Sequence, residues 1–245
     1  MTALPREWIV PDWPAPRNVR ALVTTRAGGV SHGSYASLNL GARVGDDPAA
    51  VERNREVLRR FLPGDPLWLD QAHGAEVVDA ASASALARAD GAVARTRRRV
   101  CAVLTADCLP VLLASRGGTA VGIAHAGWRG IAAGIVETTV ARMGVAPSAV
   151  IAWLGPGIGL AAYEVGADVY DAFVGRTPSA AAAFTAQGAG KYRADLYALA
   201  RQRLAAAGVS AIHGGAYCTF TDAERFYSYR RERTTGRFAS LVWME

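Results

Sequence analysis

The sequence predicts a mixed α/β or α+β protein, and three observations support this fold class. Short apolar runs typical of buried strands alternate with segments of helical pattern along the 245 residues. The sequence shows no repeat of about 20 to 50 residues and no Pro-, Gly- or Ser-rich linker that would divide it. A hydrophobic content of 51% is sufficient for one sizeable core. We therefore expect a single domain that spans residues 1–245.

The first part of the chain combines a strand, a long loop and a helix. Residues 19–25 alternate apolar and polar side chains, which is the pattern of a half-buried strand. Residues 28–45 are rich in glycine and hydroxyl side chains, so a long shaped loop is expected there, and such loops are often functional. The pair Asp47 and Pro48 then opens a helix that continues to Phe61.

The middle and the C-terminal half predict further strands and helices. Three runs in the middle read as adjacent buried strands, namely residues 100–104, 109–114 and 119–124. A helix is predicted from Ile131 to Met143, where Gly144 ends it. Residues 149–154 predict another strand, and residues 195–207 an amphipathic helix that ends at Gly208.

Cysteine content and hydropathy indicate the compartment. Three cysteines, an odd number without CxxC spacing, argue against a disulfide framework and fit a reducing environment; they are Cys101, Cys108 and Cys218. The first forty residues contain no apolar run near the ~20 residues needed to cross a bilayer. We expect a soluble, cytoplasmic protein with no membrane partner.

The net charge of +6 is weaker evidence about partners than it first suggests. Lys191 is the only lysine, so arginine supplies all the other basic residues, and such a ratio can reflect coding bias. The one dense basic run, residues 95–99, lacks the interleaved aromatic residues of a nucleic-acid surface. We expect no nucleic-acid partner.

Three scarce side chains stand at the edges of predicted strands. His73 lies in a polar break, Cys108 begins a buried strand and His125 ends another. Two imidazoles and one thiolate suit zinc, and three protein ligands leave a fourth position for water or substrate. Cys108 and His125 could instead form a nucleophile and its base, and all three could be ordinary core residues. The spacing alone does not choose among these interpretations.

Two arginines stand where an anion could bind. Arg129 lies at the start of the predicted helix, whose free N–H groups and dipole favour a phosphate or carboxylate. Arg230 lies in an aromatic and basic stretch, residues 221–233, that could stack a ring and bind a phosphate. The alternative for Arg129 is a local salt bridge, and the alternative for residues 221–233 is an aromatic strand with a charged edge.

Taken together, the motifs resemble the bacterial YfiH family, also called laccase-domain or multicopper polyphenol oxidase proteins. In chain order from about residue 21 to 243 they read TTRAGGVS, SLNLG, VGDDP, QAHG, TADCLPVLL, HAGWRG, LGPGIG, YEVG, FYSYRR and TGR. The names given to the family include purine nucleoside phosphorylase and peptidoglycan-editing factor. One difference is Ala72, where the QxHG motif often carries valine.

The resemblance implies a layered α/β/β/α domain with mixed sheets and a zinc site. Its metal ligands correspond to His73, Cys108 and His125, with copper as the other candidate metal. It also implies phosphorolysis of adenosine, inosine, guanosine and methylthioadenosine to free base and ribose 1-phosphate, together with adenosine deamination. The expected partners are purine nucleosides and inorganic phosphate, and the expected assembly is a monomer or small homo-oligomer.

Roles for further residues follow as hypotheses. Cys108 and His125 would be catalytic, and Asp107 would orient a histidine or transfer a proton. Arg129 is the first candidate for binding phosphate, with Arg26 and Arg230 as further candidates. Asn39 and Gln71 could bind the edges of sugar or base.

Two other enzyme classes compete with this interpretation. A copper-dependent polyphenol oxidase would need several coppers bound mostly by histidine, and the sequence has only four histidines. An amidase that removes L-serine from a UDP-MurNAc cell-wall precursor would use Cys108 and His125, either as a thiolate pair or around a metal. A non-enzymatic nucleic-acid module rests on the charge alone.

Overall fold

The computed structural model describes residues 4–245, which form thirteen strands and six α-helices together with short 3₁₀ turns. The strands are β1 (Val19–Val23), β2 (Pro66–Leu67), β3 (Val77–Asp79), β4 (Gly91–Ala94), β5 (Val100–Thr105), β6 (Leu109–Ser115), β7 (Val121–Ala126), β8 (Val150–Leu154), β9 (Glu164–Gly166), β10 (Phe184–Gly188), β11 (Lys191–Ala194), β12 (Ala211–Gly214) and β13 (Phe238–Met244). The helices are α1 (Pro48–Arg59), α2 (Trp128–Ala133), α3 (Ile135–Arg142), α4 (Ala167–Val174), α5 (Leu196–Ala206) and α6 (Tyr229–Glu232).

Two mixed sheets pack face to face. The larger has the strand order β12-β8-β6-β7-β4-β3, with parallel pairs at its two edges, and the smaller has the order β1-β13-β5-β2. Apolar side chains from both sheets fill the space between them, such as Leu112 and Ile123 from the larger and Val103 and Val242 from the smaller. A third, antiparallel sheet, β10-β11-β9, lies beside this pair in the chain's second half.

Helices cover the outer faces of both sheets. The outer side of the six-stranded sheet packs against α2, α3 and α5, where Leu113 meets Ile135 and Leu199 in one cluster. The outer side of the four-stranded sheet packs against α1, where Leu58 joins Leu22 in another cluster. This order of layers confirms the predicted α/β/β/α fold class.

The glycine-rich segment before α1 is an ordered loop, as predicted. Asn54 on α1 fixes it, because its amide donates to the Ser31 hydroxyl and to the carbonyls of Ser37 and Asn39, while its oxygen accepts from the Val30 N–H. Asn54 is fully buried. One side chain therefore satisfies backbone groups that a buried loop would otherwise leave unpaired.

Two predicted elements differ from the structure. The strands β5 and β6 are not neighbours, since β6 pairs with β7 and β8 whereas β5 pairs with β13 and β2 in the opposite sheet. The predicted helix at 131–143 begins earlier, at Trp128, and is two helices rather than one. Gly134 divides them because its left-handed backbone (φ 96°) cannot continue an α-helix.

Within the described part of the chain, no helix combines the length and hydropathy that a bilayer-spanning segment requires.

Candidate functional site

The ends of three chain segments bring His73, Cys108 and His125 together. The register of β6 and β7 places Pro110 opposite His125, so Cys108, just before β6, lies beside the end of β7. His73 enters from the loop that precedes β3. The potential ligand atoms of the three residues all lie within 4.8 Å of one another. We call these three residues the donor cluster.

The geometry of the donor cluster suits a tetrahedral ion. The Cys108 Sγ and His73 Nε2 atoms are 3.9 Å apart, close to the ~3.5 Å that a tetrahedral zinc ion imposes between sulfur and nitrogen ligands. The imidazole rings of His73 and His125 meet edge to face, with their centroids 4.7 Å apart. The structure thus assembles a candidate metal site from the three predicted ligands, and the mixture of imidazole and thiolate fits a borderline-soft divalent ion.

Asp90, which the sequence analysis missed, holds two of the three ligands. One carboxylate oxygen accepts a hydrogen bond of 2.8 Å from His125 Nδ1 and one of 2.9 Å from the His73 backbone N–H. The other accepts from the N–H groups of Ala72 and Gly74. With Nδ1 donating to Asp90, His125 presents Nε2 to the cluster, which is how carboxylates usually orient metal-binding histidines.

The same hydrogen bonds explain the backbone of His73. Its φ of 60° lies in the left-handed region, which is costly for a residue with a side chain. Three successive N–H groups converge on the Asp90 carboxylate, and these hydrogen bonds to a charged acceptor offset the strain. Burial raises the pKa of Asp90, but His125 and the backbone donors lower it by more, so the carboxylate stays ionised.

The electrostatics of the donor cluster favour the thiolate form of Cys108. Burial raises the pKa of this thiol, but the His125 and His73 imidazoles reverse the effect and lower it below its ordinary value. Burial lowers the pKa of His125, while the Cys108 thiolate and the Asp90 carboxylate raise it overall. The thiolate is the form that both metal binding and nucleophilic attack require.

Gly127 permits the close approach of two ligands. A Cβ atom at this position would lie 2.8 Å from Cys108 Sγ and 3.3 Å from His73 Cδ2. Its backbone conformation (φ −68°, ψ 163°) is open to any residue, so space is the reason for glycine here. The glycine of the HAGWRG motif therefore has a steric role beside the donor cluster.

The donor cluster opens into a cavity of about 810 Å³. Two carboxylates line the cavity, Asp70 and Asp107. Six arginines also line it, and we call them the cavity arginines: Arg43, Arg55, Arg129, Arg230, Arg233 and Arg237. Aromatic side chains, among them Trp68 and Tyr229, supply flat apolar surface. A cavity with this excess of positive charge is suited to an anionic ligand that also carries a ring.

Two of the predicted anion-binding residues lie in this cavity. Arg129 is exposed, and its guanidinium group lies over the Trp128 ring and makes no hydrogen bond within residues 4–245. Arg230 stacks on Tyr163 and donates a hydrogen bond of 2.7 Å to the Glu164 carbonyl. Both guanidinium groups thus face the cavity. The helix whose start was expected to favour an anion beside Arg129 is α2, which is only six residues long.

Three other predicted binding residues have structural contacts instead. The Gln71 amide lines the cavity, but both of its ends bond to the backbone of Leu104. Asn39 is fully buried and bonds to Gly41, Asp46 and the Arg237 N–H. Arg26 lies outside the cavity lining, where it donates to the carbonyls of Ala36 and Ala223 and pairs with Glu232. The polar groups of these three residues are thus occupied by bonds within the protein, and their predicted roles toward sugar, base or phosphate stay predictions.

The Asp107 carboxylate makes no hydrogen bond to the histidines within the described residues. Its carboxylate accepts 2.7 Å hydrogen bonds from the Thr219 hydroxyl and the Arg230 backbone N–H. The orienting role predicted for it is therefore filled by Asp90, and Asp107 fixes the segment that carries Arg230. Its proton-transfer role stays a prediction.

Residues 20–245 match the family described as multi-copper polyphenol oxidoreductase laccase. A Pseudomonas aeruginosa protein named purine nucleoside phosphorylase is 54% identical over 239 residues, which are 97% of this chain and 98% of that protein. An Escherichia coli protein named purine nucleoside phosphorylase YfiH is 52% identical over 239 residues, which are 96% of this chain and 98% of that protein.

Solved structures of similar proteins share the whole fold. The crystal structure of a Neisseria meningitidis protein superposes with a TM-score of 0.95 at 51% identity, and the match covers 98% of this chain and 100% of that chain. The crystal structure of YlmD from Geobacillus stearothermophilus gives a TM-score of 0.91 at 32% identity, with 100% and 98% of the two chains covered.

Proposed function

The chain belongs to the multi-copper polyphenol oxidoreductase laccase family, and from this membership and the site we propose that it is a metal-dependent purine nucleoside phosphorylase. The family predicted from the sequence motifs is thereby confirmed. The observation that carries the proposal is the donor cluster at the wall of a cavity lined by six arginines. The names of the relatives agree with this activity.

The metal is proposed to be zinc, held by His73, Cys108 and His125. Imidazole nitrogens and thiolates both bind zinc, catalytic zinc sites use three protein ligands, and Asp90 orients one of the imidazoles. When bound, such an ion supplies a Lewis acid that can withdraw charge from a substrate atom and lower the pKa of a water molecule.

The substrates are proposed to be adenosine, inosine, guanosine or methylthioadenosine together with inorganic phosphate. In phosphorolysis a phosphate oxygen forms a bond to C1′ of the ribose while the bond between C1′ and the purine nitrogen breaks. The bonding electron pair leaves with the purine, which takes up a proton. Arg129 and Arg230 would hold the phosphate beside C1′, so that both reactants are positioned for the displacement. Adenosine deamination, in which water replaces the amino group, is a second reaction proposed for the same site.

Turnover and metal content test the proposal together. Purified protein is incubated with adenosine or inosine, with and without phosphate, while chromatography follows free base and ribose 1-phosphate and mass spectrometry measures bound metal. We expect phosphate-dependent product in the unaltered protein. Cys108→Ala and His125→Ala should lower turnover by about 10³-fold or more, because a Lewis acid contributes several kcal/mol to a transition state.

Cys218→Ala is the matched control, because Cys218 is also a free, partly exposed cysteine but does not line the cavity. This variant should keep its metal and its turnover. Intact turnover in both Cys108→Ala and His125→Ala would contradict the proposal.

A cysteine amidase is the second candidate, because the electrostatics of the donor cluster favour the Cys108 thiolate. Its substrate would be a nucleotide-linked L-serine amide, whose diphosphate also suits the cavity arginines. If thiolate chemistry were primary, amide cleavage would survive removal of the metal by a chelator, whereas phosphorolysis would be lost under the same treatment.

A further inference from the structure

Three buried tyrosines differ in what their hydroxyl groups contact. The Tyr197 hydroxyl accepts from the Gly157 N–H, and its one proton has the Tyr217 carbonyl at 2.8 Å and the Gly155 carbonyl at 3.0 Å as acceptors. The Tyr227 hydroxyl donates to the Tyr35 carbonyl at 2.7 Å. The Tyr163 hydroxyl has no hydrogen-bond partner within residues 4–245, although the residue is only 8% exposed. A buried tyrosine usually finds a partner for its hydroxyl, so the exception points to a missing one.

Tyr163 lies where a ligand can reach this hydroxyl. The residue lines the cavity that contains the donor cluster. A polar atom without a hydrogen-bond partner is either sealed from solvent or in contact with it. The unpaired atoms that are sealed belong to other residues, so the Tyr163 hydroxyl is in contact with the cavity. The rest of the side chain packs into the core beside α4 and α5, which fixes the direction of the ring.

Two cationic side chains lie near the tyrosine. The Arg230 guanidinium lies over its ring, with its Cζ atom 5.2 Å from the centroid, and is itself anchored on the Glu164 carbonyl. Arg129 is close enough to act electrostatically on the phenol, as are Asp107 and Cys108. Both oxygens of the Asp107 carboxylate already accept hydrogen bonds from other groups.

The protonation state makes the hydroxyl a donor. Burial raises the pKa of Tyr163, and the negative charges of Cys108 and Asp107 raise it further, whereas Arg230 and Arg129 lower it only in part. The phenol is therefore neutral near pH 7, and a neutral O–H beside two guanidinium groups matches an oxyanion as its acceptor.

We propose that the Tyr163 hydroxyl donates a hydrogen bond to the inorganic phosphate that Arg129 and Arg230 hold in the cavity. This assignment rests on the proposed phosphorolysis and gives the phosphate a third, uncharged donor. The hydroxyl lacks a partner because its partner is the substrate. Tyr163 is thus a phosphate-binding residue, and its hydroxyl is not needed to stabilise the fold.

The test compares Tyr163→Phe with the unaltered metal-loaded protein. Calorimetry measures the Kd of inorganic phosphate, steady-state kinetics measures KM for phosphate and for inosine, and thermal unfolding measures Tm. A hydrogen bond to a charged group contributes enough that its loss should raise the Kd and KM for phosphate by roughly 10- to 100-fold. The KM for inosine should change by less than about threefold, and Tm should not fall, because no intramolecular hydrogen bond is lost.

Tyr227→Phe is the control, since it removes a hydroxyl that bonds to a backbone carbonyl outside the cavity lining. It should show the opposite result, namely a lower Tm with unchanged phosphate affinity. An unchanged phosphate Kd in Tyr163→Phe, or a fall in Tm as large as that of Tyr227→Phe, would overturn the assignment.

The failure of this assignment can be told from the failure of the proposed function. If the unaltered protein binds phosphate but catalyses no phosphorolysis, and Tyr163→Phe still weakens binding, the proposed function is wrong and the Tyr163 assignment stands. If the unaltered protein splits inosine with phosphate and Tyr163→Phe leaves both phosphate constants unchanged, the reverse holds. If the unaltered protein binds no phosphate, the assignment is wrong.

Discussion

The donor cluster and the cavity arginines line the same cavity but are positioned by different interactions. His73 and His125 are oriented by an ionised carboxylate, Asp90, which accepts from four donors. Arg55, Arg230 and Arg237 are oriented by backbone carbonyls, while Arg43 pairs with Asp70. Carbonyl oxygens fix a guanidinium group without neutralising its charge. The donor cluster is thus held in a fixed geometry, whereas the three cavity arginines fixed by carbonyls keep their positive charge available to a ligand.

Among changes outside the three ligands, the largest effect should come from removing the carboxylate that orients the cluster. In Asp90→Ala, His125 loses its Nδ1 acceptor and three N–H groups around His73 lose theirs. Loss of a hydrogen-bond partner of a metal ligand typically weakens metal binding by roughly 10- to 100-fold. We expect about 100-fold here because two ligands are affected. Competition with a chelating indicator measures the metal Kd.

Asp107→Asn distinguishes the role of Asp107 from that of Asp90, the other carboxylate of the site. Asp107 is also buried, but it holds Thr219 and Arg230 rather than a histidine. Its variant should keep the metal Kd within about threefold and weaken phosphate binding instead, since the neutral amide offers only one acceptor oxygen to the two donors and the position of Arg230 is held less firmly. If Asp107→Asn released the metal and Asp90→Ala retained it, the orienting role would return to Asp107, as the sequence first suggested.

A smaller effect should follow from crowding the donor cluster without removing any ligand. In Gly127→Ala the new methyl group would meet Cys108 Sγ at 2.8 Å, so Cys108 or His73 must shift. Overpacking of this kind costs about 2 kcal/mol, which corresponds to ~30-fold weaker metal binding.

Gly117→Ala provides the matched control for added volume. Its methyl group would lie 3.9 Å from the nearest atom, a Thr119 methyl carbon, which is an ordinary contact. The metal Kd should not change in this variant. Equal metal affinity in Gly127→Ala and Gly117→Ala would show that the cluster tolerates displacement and that its geometry is not fixed.

The contrast between the two regions also explains what the sequence could predict. The metal ligands are scarce residue types, so His73, Cys108 and His125 stood out among four histidines and three cysteines. Asp90 did not, because it lies in an Ala-Asp-Gly sequence outside any recognised motif. The available signal was its position immediately before Gly91–Ala94, a run of four buried residues.

The cavity arginines could not be identified in the same way. Arginine is abundant in this chain, so composition cannot separate those that line the cavity from those on the surface. Arg129 was the first phosphate candidate and Arg26 a further one, and the fold directs Arg26 to carbonyls and Arg129 to the cavity. The mixture of strands and helices could be predicted from apolar runs and the layers from the family resemblance, whereas the separation of β5 from β6 depends on sheet pairing that no local pattern encodes.

The last prediction compares those two arginines. The Arg129 guanidinium group makes no hydrogen bond within the described residues, so Arg129→Ala should leave Tm unchanged. It should raise the KM for phosphate about 10-fold through loss of a charged hydrogen bond. Arg26 donates to two carbonyls and pairs with Glu232, so Arg26→Ala should lower the free energy of unfolding by ~1–2 kcal/mol. Its KM for phosphate should not change, because the residue lies outside the cavity lining. Thermal unfolding and phosphate titration of the two variants therefore give opposite patterns if positive charge in the cavity serves the ligand, and similar patterns if both arginines serve the fold.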